Sequence, residues 1–150
     1  MKPYNYRFES VLTYRELEKT ETENEYRISV EAFESIATEL YELLKKKEET
    51  LDNQQERMIK GFSVNKIHHV ARFIDSLEKK IAEVQQNVIQ ARSKMIWFEE
   101  KLLERRLEVR KFEKMRDKDQ QQHRVEVEQQ EAKRLDELST MTFRGVGNGR

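Results

Sequence analysis

The sequence predicts an all-α protein: a long antiparallel two-helix coiled-coil hairpin with a C-terminal helix extending beyond the paired region. Three observations predict it. From Val70 to Arg116, alternating steps of four and three residues land on Val70, Ile74, Leu77, Ile81, Val84, Val88, Ala91, Met95, Phe98, Leu102, Arg105, Val109, Phe112 and Arg116, all apolar but the two arginines. This is the 3.5-residue repeat of a coiled-coil seam, kept for about six heptads without Pro or Gly. A stripe that long cannot be buried by its own helix, and a second apolar stripe lies upstream to cover it. Between the two stands one strong break, Lys60-Gly61-Phe62-Ser63.

Taken in order, residues 1 to 5 read as a short tail, and the pattern becomes helical from about residue 6, with Phe8, Val11 and Leu12 on one face. Between Arg15 and Glu25 the apolar stripe thins to Leu17 alone. It resumes at Tyr26, Val30, Phe33, Ala37, Leu40, Leu44, Leu51 and Met58, with Lys47 and Gln54 in its two polar seam positions. One helix over about 6–60 follows, roughly 80 Å long at 1.5 Å per residue. Gly61 suits the left-handed conformation that ends a helix, and Ser63 suits the cap that starts the next. Helix 2 then runs over about 64–141 and pairs with helix 1 along residues 64 to 118. After Arg116 the apolar phase slips. Asp117 to His123 are wholly polar, and Val125, Ala132, Leu135 and Leu138 fall on another face. Residues 117–141 are therefore expected to project as a single helix, with a Gly-rich tail at 142–150 disordered. The whole chain, 1–150, reads as one coiled-coil domain.

Composition narrows the function. With 36% hydrophobic and 39% charged residues, the apolar supply suffices for a seam and would make a thin core for a sphere. Twenty-nine basic and 29 acidic residues cancel, and they are interspersed, which argues against a nucleic-acid partner. No apolar run is long enough to span a membrane. The start, MKPYNYRF, lacks the apolar core of a signal peptide, so a cytosolic, uncleaved protein is expected. The absence of Cys excludes disulfides and thiolate metal sites.

No catalytic residue, cofactor site or metal site emerges. His68 and His69 are adjacent, so on a helix they point about 100° apart. His123 sits in a polar run with no ligand pattern, and no phosphate loop or nucleophile elbow occurs. Carboxylate pairs such as Glu99 and Glu100 have no cleft to shift their pKa values. The informative residues are apolar ones that the seam does not need. With Tyr26, Phe33, Leu40, Val70, Leu77 and Val84 at position d, residues Ile36, Leu43 and Phe73 fall at g and line one flank, while Arg27, Glu34, Glu48, Glu78, Arg92 and Glu99 line the other. The first flank is either a partner site or a wider seam, and exposure of Phe73 distinguishes them. A second off-seam stripe, Ile89, Ile96 and Leu103 with Trp97 beside it, suits a third helix, a second copy or a partner. Basic charge gathers at Arg105, Arg110, Lys111, Lys114 and Arg116.

Several segments resemble the FliJ family of flagellar type III export proteins, over almost the full length. They are the opening YRFESVLTYRELEK, the stretch GFSVNKIHHVARFIDSLEKKIAEV with its Phe73-Ile74-x-x-Leu77-Glu78-x-x-Ile81 pattern, KFEKMRDK at Lys111 to Lys118, and KRLDEL at Lys133 to Leu138. The resemblance implies a coiled coil resembling the central stalk of rotary ATPases, with no enzymatic activity and no cofactor. It implies contact with the hexameric flagellar export ATPase through Phe8, Leu12, Phe112, Arg116, Leu135 and Leu138. It implies contact with the cytoplasmic domain of the membrane export gate through Leu43, Phe73, Leu77 and Val84. Export chaperones are further implied partners, and the implied location is the cytoplasmic side of the membrane-bound export apparatus, without membrane insertion. The alternative is a coiled-coil scaffold or export chaperone that holds clients and touches no ATPase.

Overall fold

The computed structural model describes residues 3–148, with side chains to Gly145. Two helices, α1 (Glu9–Ile59) and α2 (Val64–Asn148), pack against each other as a hairpin, and the described residues contain no strand. Gly61 takes φ 90°, the left-handed value that closes the turn. There the Lys60 and Gly61 amides donate to the Arg57 and Met58 carbonyls. Ser63 caps α2, its hydroxyl oxygen accepting from the Lys66 amide at 3.4 Å.

Both outer boundaries move from where the sequence puts them. Tyr6 is outside α1, and the Glu9 amide donates back to the Tyr6 carbonyl in a turn that leads into the helix. At the other end α2 passes residue 141 and includes 142–148, where the sequence predicts a disordered tail. Propagation explains this, because each residue added to a formed helix gains a backbone bond without a new nucleus. Thr140 and Thr142 add side-chain bonds to the Asp136 and Leu138 carbonyls. Residues 149–150 of the expected tail lie outside the described residues.

Contacts gather into two units, Met1–Lys19 with Arg105–Arg150 and Thr20–Glu104. In the second, which holds the turn, the seam of α2 is the predicted one. Leu77, Ile81, Val84 and Leu102 are buried, and Val70, Ile74, Val88, Ala91, Met95 and Phe98 are half-buried. The seam of α1 is rotated from the expected one. Thr22, Tyr26, Ser29, Phe33, Ile36, Leu40, Leu43, Lys47, Thr50 and Gln54 are buried or half-buried; of the expected series Val30 and Ala37 are half-buried beside them, while Leu44, Leu51 and Met58 are exposed. Ile36 and Leu43 thus belong to the seam instead of flanking it. Two overlapping series, both containing Tyr26, Phe33 and Leu40, run along α1, so periodicity alone leaves its rotation open. The chosen series buries Ser29, whose hydroxyl donates to the Tyr26 carbonyl at 2.6 Å and so loses no hydrogen bond. Lys47, also in the seam, reaches Glu78 at 3.3 Å.

In the unit that holds the termini, Tyr6, Leu12 and Val109 form the core, with Tyr4, Phe8 and Phe112 packed on it. Leu12 is 1% exposed. The thin stretch of the α1 stripe is filled here by charge: Glu18 lies 3.0 Å from Arg15 and 2.8 Å from Arg105 of α2. Arg105 was one of the two polar seam positions of α2, and this pairing is what makes a guanidinium tolerable there. Pairing also reaches further along α2 than the slip after Arg116 implies. His123 and Val127 continue the seam and are half-buried, and the Tyr4 ring packs at a 50° tilt against His123 with ring centres 5.3 Å apart. The cover comes from the non-helical segment before α1, which helical periodicity could not reveal. From Glu128 to Gly145 every residue of α2 is exposed, so a single helix does extend beyond the paired region.

Candidate functional site

The surfaces available to partners follow from these packings. In the unit with the termini, two phenols hold the N-terminal segment to α2. Tyr6 donates to the Phe112 carbonyl at 3.2 Å, and Tyr4 donates to the Asp119 carboxylate at 3.0 Å and toward the Arg116 carbonyl at 3.4 Å. Burial, followed by the bond to Asp119, pushes the Tyr4 phenol up to about 12. Burial and then the Asp119 charge push Tyr6 in the same direction. At Glu18 burial favours the neutral form, but hydrogen bonds from Arg15 and Tyr14 and the charge of Arg105 prevail and hold the carboxyl below its ordinary range.

Of the residues implied to meet an ATPase ring, Leu12 is core, Phe8 and Phe112 are half-buried around it, and Arg116 points to Glu9 at 3.7 Å. Leu135 and Leu138 stand fully outside, on the bare part of α2. A surface that the sequence reading left incomplete joins them. Leu107, Arg110, Lys111, Lys114, Met115 and Lys118 share the face of α2 turned away from its seam, and they border one shallow depression. Arg110, Lys111, Lys114 and Lys118 have no ion-pair partner among the described residues. The signal was present: counted from Leu107, cations stand at i+3, i+4, i+7 and i+11, with no acid among the lining residues.

In the unit with the turn, the residues implied to meet an export gate separate into two kinds. Leu77 and Val84 lie in the seam, Val84 at 2% exposure, and Leu43 is a half-buried seam residue of α1. None of the three offers its full side chain to a partner while the helices are paired. Phe73 does. It is 41% exposed, and the Lys46 ammonium lies 5.4 Å above its ring. The exposed Phe73 fits a partner site, while Ile36 and Leu43 behave as the wider seam, so the flank is split between the two readings. Among the described residues no group of three or more His, Cys, Asp or Glu is placed to hold a metal, and no helix is long and apolar enough to cross a membrane.

The family model described as flagellar FliJ protein matches residues 4–148. The chain belongs to the FliJ family. The flagellar FliJ protein of Bacillus subtilis (strain 168) is 36% identical over 140 residues, covering 93% of this chain and 95% of that one. No solved structure matches. In this member of a flagellar protein family, three surfaces are left open: the bare end of α2, the basic face from Leu107 to Lys118, and the Phe73 patch.

Proposed function

We propose that this FliJ-family chain is a non-enzymatic stalk of the flagellar type III export apparatus, binding the hexameric export ATPase and coupling it to the membrane export gate. The observation that carries the reading is the exposed, unpaired α2 from Glu128 to Gly145, bearing Leu135 and Leu138, in a chain that matches its family over residues 4–148. A single helix with so few apolar residues is marginal in water by itself. It is stabilised when another protein surrounds it. The basic face from Arg110 to Lys118 adds charge for an acidic lining. The mechanism is asymmetric: one helix inside a sixfold ring cannot fit every subunit alike, so it shifts the subunits among their conformations. The gate side rests on Phe73. Export chaperones are further partners of the same complex, which operates peripherally at the cytoplasmic face of the membrane.

The test is hydrolysis by the purified export ATPase with equimolar full-length chain and with a chain truncated after Val127, which retains the paired residues. Stimulation by the full chain and its loss on truncation are the expected outcome; equal rates with both would sink the stalk reading. On the gate side, Phe73→Ala should weaken binding to the cytoplasmic gate domain with helicity unchanged. A second reading, a scaffold holding clients without acting on an ATPase, is favoured by the exposed Ile89–Leu103 stripe and gains if stimulation is absent from a helical protein.

A further inference from the structure

The exposed stripe on α2 carries more than its apolarity. Ile89, Ile96 and Leu103 are 57%, 39% and 58% exposed. Seven-residue spacing keeps them within about 20° of one another per heptad. At about 100° per residue the seam residues Ala91, Met95 and Leu102 lie roughly 120° round the helix, so α1 leaves the stripe uncovered. Two charged or polar residues border it on each side: Arg92 and Glu99 on one, Ser93 and Glu100 on the other, all exposed. Among the described residues neither Arg92 nor Glu99 has an ion-pair partner.

We infer that this stripe binds a second copy of the chain in antiparallel orientation, about a twofold axis through Ile96. In that arrangement a residue n places before Ile96 lies level with the residue n places after it in the other copy. Ile89 meets Leu103 of the second copy, Ile96 meets its counterpart, and Leu103 meets Ile89 of the second copy. A twofold axis perpendicular to two antiparallel helices keeps each flank facing the same flank of the partner. Arg92 therefore faces Glu99 of the second copy, with a mismatch of one residue, about 1.5 Å of rise. On the opposite flank Ser93 faces Glu100 of the second copy, a hydroxyl donor against a carboxylate. Symmetry supplies each contact twice. Parallel docking instead exchanges the flanks and sets Glu99 against Glu100 of the second copy, a like-charge contact made twice. The charges thus select the occupant and its direction. The contact spans about four turns and stays below the ~1,200 Å² of a standard interface, so association is weak, on the order of 10–100 µM. The inference is independent of the stalk reading, since it uses none of the residues proposed for the ATPase or the gate.

Sedimentation velocity of the full-length chain across about a hundredfold range of concentration centred on that affinity tests it. Concentration-dependent dimerisation is expected. Arg92→Glu and Glu99→Arg each set like charges face to face twice and should weaken association roughly tenfold, while the double swap Arg92→Glu/Glu99→Arg should restore it to within about threefold of the unmodified chain. Ile96→Glu, at an exposed site, should abolish dimerisation with helicity by circular dichroism unchanged. A chain that stays monomeric throughout, single swaps without effect, or a double swap as weak as the singles would each overturn the proposal.

Discussion

The Tyr4 phenol shows how much one side chain decides in this protein. Its ring packs against His123 and its hydroxyl donates to Asp119, so a residue before the first helix extends the paired region of α2. Its pKa is raised from 10.0 to about 12, which makes the contribution to stability pH-dependent with a definite sign. Below pH 10 the phenol is neutral folded or unfolded, and the contribution is complete. Between 10 and about 12 the unfolded chain ionises first, so stability falls, and above about 12 nothing of this contribution remains. Glu18 behaves oppositely: its lowered pKa gives a contribution present above the ordinary carboxyl range and lost as pH falls. Comparing urea-unfolding midpoints across the alkaline range, Tyr4→Phe should show a shallower decline than the unmodified chain, because the ring stays and the ionising group goes. An identical decline would assign it to other groups. Neither phenol's role was legible in the sequence, where Tyr4 and Tyr6 stand outside any apolar repeat. Phe73, by contrast, was legible, since its off-seam position alone set it apart.

At the scale of elements, α2 was readable residue by residue and α1 was not. Each seam position of α2 from Val70 to Arg116 is buried or half-buried, because a single apolar series was available. On α1 two series compete, and the choice between Ile36 with Leu43 and Ala37 with Leu44 depends on which rotation packs best on α2, a tertiary fact. The turn was readable for a different reason, since only glycine takes φ 90° without strain. A Cβ on Gly61 would meet nothing within 4 Å, so the cost of Gly61→Ala is the backbone conformation alone. It should destabilise the hairpin by about 1–2 kcal/mol, read from thermal or urea unfolding. A larger loss would mean that the turn itself rearranges.

For the molecule as a whole, the hairpin follows from periodicity, one break and a charge balance, all properties spread along the chain and insensitive to any single residue. Partners are another matter. A coiled-coil surface carries no fingerprint comparable to a phosphate loop, and it was the order and spacing of several modest motifs that pointed to the FliJ family. The bond between Tyr4 and Asp119 joins residues 115 apart in sequence, and this separation has a kinetic consequence. Pairs flanking Gly61 close short loops, while those near the chain ends can close cheaply only once the intervening pairs have formed. Folding then zips outward from the turn, and opening begins at the ends. Leu12, Val109 and Val84 are shielded alike in the static structure. In hydrogen exchange, backbone amides around Leu12 and Val109 should nonetheless trade their protons well before those around Val84, whereas equal rates would mean that the hairpin opens only in one concerted event. The unit proposed to enter a ring would then be the one that frays first, already poised to exchange its own partner helix for another protein's surface.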